Sequence, residues 1–187
     1  MTSAPLSLET RRDLLDLARR SLEAHFRNEP VPRLASDRQE TFGQSRALFV
    51  TLRKGGDLRG CIGTLSPRGD LAKTVPEFAR RAAFHDPRFP PLSEAELGEC
   101  VIEISVLTPP EPVSDPSEIE VGRDGLILDC GGESGLLLPQ VATEWGFDRD
   151  RFLEEVSRKA GLAGDAWRDP AARIWRFQAD VFEEDEG

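Results

Sequence analysis

Apolar residues recur at helical spacing in three long stretches of the chain. The first stretch follows Ser7 and ends near Phe26, and Leu8, Leu14, Leu15, Ala18, Leu22 and Phe26 fall within one arc at 100° per residue. The second follows Asp70, where Pro76 inside the pattern predicts a kink or a late start, and the third follows Asp148. Because Ser and Asp are favoured N-cap residues, the sequence predicts amphipathic helices that begin at these positions.

Strand patterns lie between and after these helices. An apolar run at 46–53, a glycine turn and the segment 58–64 together predict a β-hairpin. Residues 100–108 are largely apolar on both faces, which predicts a central strand. Glycine turns within 122–138 predict a short β-meander, and residues 172–182 predict one last strand. Helices and strands that alternate irregularly, with hairpins, favour the α+β class.

We expect a single domain over residues 1–187, with its core at 8–182. It would contain two lobes, an antiparallel or mixed sheet with hairpins, and about five helices. The proline-rich segment 109–117 is the expected boundary between the lobes, because prolines make a stiff connector. The acidic residues 183–187 are expected to form a frayed or disordered tail.

Charge is distributed unevenly along the chain. The net charge is −10, yet residues 1–90 carry +5 and residues 91–187 carry −15. The overall sign disfavours a general nucleic-acid or anionic-membrane binder, whereas the positive half could present a local basic surface to an anion. Most of the basic residues are Arg, which we interpret as the coding bias of a GC-rich bacterial genome.

The sequence also indicates a compartment. No apolar run approaches the roughly 20 residues needed to span a bilayer, and the N-terminus lacks the apolar region of a signal peptide. Three cysteines occur without a C-x-x-C pair or a histidine at zinc-finger spacing. We therefore expect a reduced, cytoplasmic protein with no structural zinc and no cofactor.

The most unusual segment is 58–64, with the sequence LRGCIGT. In an extended strand Arg59, Cys61 and Gly63 project to one face, with the guanidinium about 7 Å along the strand from the thiol. A neighbouring cation favours thiolate, and glycines at 60 and 63 leave room for a ligand, so Cys61 is a candidate nucleophile beside an anion site. The alternative is that Cys61 is a small core residue and that the glycines permit close packing.

Glu103 is a second candidate for chemistry, because it lies in the otherwise apolar strand at 100–108. A carboxylate there needs a partner or a shifted pKa, which makes it an acid/base candidate or an ion-pair partner for Arg59 or Arg88. A purely structural ion pair explains it equally well. A triad of the thiol with His85 and Asp86 can also be written, although the sequence gives no distances for it.

Several segments strongly resemble the AMMECR domain family, in order and over almost the whole of residues 8–182. They are LRGCIGT at 58–64, AAF at 82–84, DPRF at 86–89, ISVL at 104–107, LLPQV at 137–141 and KAGL at 159–162. The resemblance implies a compact two-lobed α+β fold. The family motifs place the candidate ligand-binding residues Arg59, Gly60, Gly63, Thr64, Asp86 and Arg88 on this chain. The catalytic candidates are Cys61, which belongs to the same motif, and Glu103, which is a candidate because of its place in the apolar strand.

The resemblance also implies partners, since such proteins are similar to protein A of the AmmeMemoRadiSam set, encoded near a Memo-like protein and a radical SAM protein. It implies no particular reaction. One hypothesis is therefore a small-ligand-binding or thiol-dependent enzyme component, with its site at 58–64 and a small anionic compound as its ligand. The alternatives are a non-catalytic adaptor and, with less support, an RNA-associated protein.

Overall fold

The computed structural model describes residues 6–34, 45–66 and 69–184. The chain divides into two compact units. Unit 1 contains the residues up to Val106 together with those from Asp180 onward, and unit 2 contains residues 107–179. Helices and antiparallel strand pairs occur in both units, which confirms the predicted α+β class.

Helices and strands alternate irregularly from one end of the chain to the other. In chain order they are α1 (Leu8–Phe26), β1 (Leu48–Lys54), β2 (Asp57–Thr64), α2 (Leu71–Phe84), α3 (Glu94–Leu97), β3 (Cys100–Leu107), β4 (Glu111–Pro112), β5 (Gly125–Cys130), β6 (Glu133–Leu137), α4 (Pro139–Glu144), α5 (Arg149–Lys159), β7 (Arg173–Phe177) and β8 (Ala179–Glu183). Single turns of 3-10 helix occupy Pro116–Glu118 and Ala166–Arg168. None of the helices in the described ranges is long and apolar enough to cross a membrane.

The three long helices begin where the sequence predicts. The side chains of Ser7, Asp70 and Asp148 each accept a hydrogen bond from the backbone N–H three residues later, which satisfies a donor that the first turn leaves free. The late start predicted for α2 is wrong, because the helix begins directly after Asp70 and contains Pro76. The carbonyl of Pro76 accepts a hydrogen bond from Ser21 Oγ of α1 at 3.1 Å, so the proline turn is bonded to the neighbouring helix.

The core of unit 1 lies between its helices and one face of its sheet. The strand order is β2-β1-β3-β8, so β3 is an interior strand, as predicted, and β2 is at an edge. Leu48, Val50 and Leu52 alternate along β1 and are fully buried against residues of α1 and α2. Burying an aliphatic side chain of this size contributes about 1.5–3 kcal/mol. This face of the sheet therefore supplies much of the stability of unit 1.

The β1–β2 hairpin contains an irregularity next to the candidate site. Its turn places Gly55 and Gly56 at positive φ, the conformation that two-residue hairpin turns require. The antiparallel register then shifts, because Leu52 pairs with Gly60 whereas the next residue of β1 pairs with Leu58. Arg59 is left as the extra residue of a β-bulge, and a bulge changes the direction of a side chain.

Unit 2 contains the sheet β4-β7-β5-β6, with α5 packed on it. Gly131 and Gly132 form the predicted glycine turn at positive φ, which joins β5 and β6 in a hairpin. The predicted meander is wrong, because the other neighbour of β5 is β7 and not the next strand along the chain. Phe152 and Val156 of α5 pack with Leu128 of β5 and are fully buried.

The single strand predicted at 172–182 is wrong, because the structure contains two strands there. β7 belongs to the sheet of unit 2 and β8 to the sheet of unit 1. Between them the backbone N–H of Gln178 donates to Thr108 Oγ1 at 2.8 Å, and the carbonyl of Gln178 accepts from the N–H of Thr108 at 2.8 Å. The apolar pattern continues through Gln178, but the strand's pairing partner changes at that residue.

The acidic tail is ordered further than its composition predicts. Glu183 ends β8, and the Glu184 carboxylate accepts hydrogen bonds from Arg19 and from the N–H of Ile102. Two oriented donors therefore hold Glu184, so a frayed tail from residue 183 is wrong for these two residues. Residues 185–187 lie outside the described ranges.

Candidate functional site

Three polar side chains lie side by side across the sheet of unit 1. Thr51 in the middle of β1 pairs with Cys61 of β2 on one side and with Glu103 of β3 on the other. Directly opposed residues of antiparallel strands project from the same face, with Cβ atoms about 4.5–5.5 Å apart. Because alternate residues such as Val50 face the core, this polar row of Cys61, Thr51 and Glu103 lies on the opposite face.

The thiol of Cys61 is partly buried, and the Thr51 hydroxyl donates a hydrogen bond to its Sγ at 3.3 Å. Burial raises the pKa of the Cys61 thiol; the hydrogen bond from Thr51 and the charge of Arg88 lower it, whereas Glu103 raises it. The net direction is upward, opposite to the lowered pKa that the nucleophile hypothesis requires. Cys61 is therefore a protonated thiol near neutral pH.

Asp86 and Arg88 bind the main chain of Cys61 on either side of its Cα. The buried Asp86 carboxylate accepts the Cys61 N–H at 2.8 Å, and Arg88 Nη2 donates to the Cys61 carbonyl at 3.1 Å. The same Arg88 nitrogen donates to Asp86 Oδ2 at 2.7 Å. The guanidinium holds the pKa of the Asp86 carboxyl far below its usual range, so the pair is fully ionised. These two candidates position the backbone at the thiol.

Arg59 binds groups other than the thiol, although an unbroken strand would place Arg59 and Cys61 on one face. Its Nε donates to Glu96 at 3.1 Å and its Nη2 donates to the carbonyl of Pro90 at 3.0 Å. The hydrogen bond from Arg59, together with those from Ser93, holds the pKa of Glu96 at about 2. The β-bulge at residue 59 explains this difference, because a bulge changes the direction of the side chain. Glu96 of α3 then supplies the carboxylate that Arg59 binds.

Glu103 binds neither Arg59 nor Arg88. Its partner is Arg53 of β1, whose Nε lies 3.3 Å from Glu103 Oε2. The triad of Cys61, His85 and Asp86 is not formed either, since the Asp86 oxygens accept from the Cys61 N–H and from Arg88, and His85 is exposed at the end of α2.

The remaining candidates of the segment 58–64 have packing and turn roles. A Cβ at Gly60 would lie 2.3 Å from the carbonyl oxygen of Ala82, so α2 approaches this residue too closely for any side chain. A Cβ at Gly63 would lie 2.3 Å from the ring of Phe49. Thr64 Oγ1 bonds the backbone two residues further on and fixes a turn. These contacts agree with the close-packing alternative for the glycines.

Sequence reasoning missed Thr51 and Glu96. The signal for Glu96 is the pattern Ser93-x-x-Glu96, a capping box that the structure contains at the start of α3. The signal for Thr51 is its position as the one polar residue inside an apolar run. The three cysteines are free, and within the described ranges no group of three His, Cys, Asp or Glu side chains could hold a metal ion.

Comparison with known proteins places this geometry in a family. A protein of Methanothermobacter thermautotrophicus is 49% identical over 99% of this chain and 100% of its own length. Protein TK0174 of Thermococcus kodakarensis is 44% identical over 92% of this chain and 89% of its own length. The crystal structure of the uncharacterized protein PH0010 from Pyrococcus horikoshii has a TM-score of 0.88 at 39% identity, covering 96% of this chain and 94% of that chain.

These relatives are archaeal, so they give no support to the bacterial source expected from the arginine content. The family model AMMECR1 matches residues 15–182, which include the polar row and the residues that bind its backbone. That match and the two relatives above 40% identity show that the chain belongs to the AMMECR1 family, as the motif at 58–64 predicts.

Proposed function

We propose that this protein is a cytoplasmic, thiol-dependent component that binds a small electrophilic ligand at the polar row. The observation that carries the proposal is the alignment of Cys61, Thr51 and Glu103 on adjacent strands of one sheet face. A nucleophile, a hydrogen-bond donor to its sulfur and a carboxylate are three of the parts that thiol chemistry needs. The rigid sheet holds all three in register.

The raised pKa of Cys61 means that the reaction needs a group that removes the thiol proton. A protonated thiol reacts only when its proton is removed, so the reaction requires a base. We assign that role to Glu103, whose Cβ is two strand spacings, about 10 Å, from that of Cys61. A water or ligand atom between the two side chains would complete the proton path.

The proposed step is addition of the thiol to a carbonyl carbon. The S–H proton passes to the Glu103 carboxylate, the sulfur lone pair forms the C–S bond, and the carbonyl π pair moves onto oxygen. The carboxylic acid then returns the proton to that oxygen, so the adduct is neutral and Glu103 is ionised again. The hydrogen bond from Thr51 stabilises the sulfur while it carries negative charge.

The sign of the effect of Glu103→Gln tests this assignment. If Glu103 accepts the proton, the variant reacts more slowly than wild type with a small aldehyde near pH 6.5, at Cys61 and not at Cys100 or Cys130. If Glu103 acts only as a neighbouring charge, its removal lowers the pKa of Cys61 and the reaction becomes faster. A brief pulse of iodoacetamide at successive times, followed by peptide mass spectrometry, measures how much of each cysteine the adduct protects from alkylation. Faster reaction, or equal reaction at all three cysteines, would refute the proposal.

A second function, as an interaction module, is supported by one different observation. Trp145, at the end of α4, is 73% exposed, and exposed tryptophans are frequent anchors of protein interfaces. The partners to test are the Memo-like and radical SAM proteins that the family resemblance implies. Co-purification at low ionic strength should weaken at least tenfold with Trp145→Ala and be unchanged with Leu8→Ala, which removes an equally exposed side chain from unit 1. No complex at low salt would exclude this function.

A further inference from the structure

Unit 2 contains a polar cleft that the proposed function does not use. The cleft is bounded by the segment 117–123, by the first residues of α5, and by residues in and next to β4 and β7. Its volume is about 800 Å³, within the range of about 300–1,000 Å³ that is usual for small-molecule sites. All of its lining residues belong to unit 2.

Two guanidinium groups in this cleft are fixed by the protein backbone. Arg149 Nε donates to the carbonyl of Ile119 at 3.0 Å, and Arg176 Nη1 donates to the carbonyl of Glu118 at 2.7 Å. Neither terminal nitrogen of Arg149 has a hydrogen-bond partner within the described part of the chain. Nε of Arg176 has none among those same residues, and its Nη2 lies 3.7 Å from Glu111 Oε2, an ion pair longer than a hydrogen bond. A guanidinium that is already anchored loses little freedom when its other donors bind a carboxylate.

The third arginine of the cleft is not available in this way. Arg123 donates from Nε and Nη2 to the two oxygens of Asp124, at 2.8 and 2.7 Å, and from Nη1 to Glu120. Asp124 is fully buried, so this arrangement neutralises an interior charge. Arg123 is therefore part of the wall of the cleft and not a ligand-binding group.

Carboxylates line the same cleft and determine which ligand fits. Glu118 and Asp148 each use one oxygen to accept a backbone N–H in a capping turn, and no described residue donates a hydrogen bond to the other oxygen. A simple anion on Arg149 and Arg176 would be repelled by these two groups and by Glu111. We infer that the cleft binds a small zwitterion, with its carboxylate on the two arginines and its ammonium group on Glu118 and Asp148.

Three probes of matched size test the inference by NMR titration of the ¹⁵N-labelled full chain. They are 4-aminobutyrate, which carries both charges, butyrate, which carries only the anion, and butylammonium, which carries only the cation. We expect 4-aminobutyrate to shift the amides of residues 117–121 with a dissociation constant in the millimolar range, at least tenfold below those of the other two probes.

The variant Arg149→Gln should weaken binding of 4-aminobutyrate at least fivefold. Arg168→Gln is the matched control, because Arg168 is also in unit 2 but does not line the cleft: it lies over the ring of Trp167 and 3.7 Å from Asp150. Arg176→Gln provides an independent second variant, and the spectrum of each variant shows whether it is folded. Equal affinity for butyrate and 4-aminobutyrate, an absence of shifts at 117–121, or equal losses in the Arg149 and Arg168 variants would overturn the inference.

Discussion

Replacing Asp86 by Asn tests whether the ion pair at the Cys61 backbone stabilises unit 1. The Asp86 side chain is 2% exposed and accepts four hydrogen bonds, from the Cys61 N–H, the Arg88 N–H and two nitrogens of the Arg88 guanidinium. Asn keeps the volume but offers one acceptor oxygen, so its amide nitrogen must face a donor. Removing one partner of a buried ion pair costs about 3–5 kcal/mol. Arg88 is 53% exposed, so water can solvate it once the carboxylate is gone. We therefore expect the unfolding free energy to fall by about 3 kcal/mol, the lower end of that range.

Urea unfolding followed by far-UV circular dichroism measures the loss. Tryptophan fluorescence is unsuitable because all three tryptophans belong to unit 2, whereas Asp86 belongs to unit 1. Hydrogen exchange of the Cys61 amide provides a local measurement, since this N–H donates directly to the carboxylate. Asp16→Asn, which breaks an exposed pair with Arg20, is the control and should cost about 0–1 kcal/mol. If Asp86→Asn costs no more than the control and leaves exchange at Cys61 unchanged, the reasoning is refuted.

The same pair predicts a pH dependence. The pKa of Asp86 is lowered on folding, so the unfolded chain takes up this proton first as the solution is acidified. Its contribution to stability is complete above the unfolded pKa of about 4 and is lost progressively as the pH falls below it. The difference in unfolding free energy between wild type and Asp86→Asn should therefore shrink between about pH 5 and pH 3. A constant difference across that range would contradict the assignment.

Two further substitutions test the geometry around the polar row. Thr51→Val removes the hydrogen bond to the Cys61 sulfur, so the pKa of Cys61 should rise and alkylation by iodoacetamide at pH 8 should slow; an unchanged pH profile would show that the hydrogen bond does not stabilise the thiolate. Gly60→Ala forces a methyl group against the carbonyl of Ala82 and should destabilise unit 1 by about 1–3 kcal/mol in urea unfolding. Gly98→Ala is its control, because a methyl group there has no neighbour closer than 3.9 Å and φ is −67°, so equal losses in the two variants would rule out the steric explanation.

Much of the fold follows from local chemistry that can be read along the chain. Helix starts are predictable because an N-cap side chain bonds an N–H only three residues away, as Ser7, Asp70 and Asp148 do. The β1–β2 hairpin is predictable for the same reason, since Gly55 and Gly56 alone permit its turn. The division into β7 and β8 at Gln178 is not predictable in this way. The apolar pattern indicates which residues are buried, but it does not indicate which strand they pair with.

The candidate site could be located from the sequence, but its contacts could not. The segment 58–64 indicates where chemistry could occur. It does not indicate what Arg59 binds, because that partner is Glu96, 37 residues further along the chain. A one-residue bulge redirects that side chain, and a bulge has no signature in the pattern of apolar positions. Glu103 likewise binds Arg53 because the two strands are paired in a register that only the folded sheet defines.

The bonds from Asp86 and Arg88 to Cys61 also occupy backbone groups at the edge of a sheet. Cys61 lies in β2, an edge strand, whose outward N–H and C=O groups could template the addition of a strand from another molecule. A carboxylate that accepts the N–H and a guanidinium that donates to the C=O occupy both groups of this residue, as a neighbouring strand would. At Cys61, therefore, the side chains of the DPR sequence at 86–88 leave no unpaired backbone N–H or C=O for a strand of another molecule to bind.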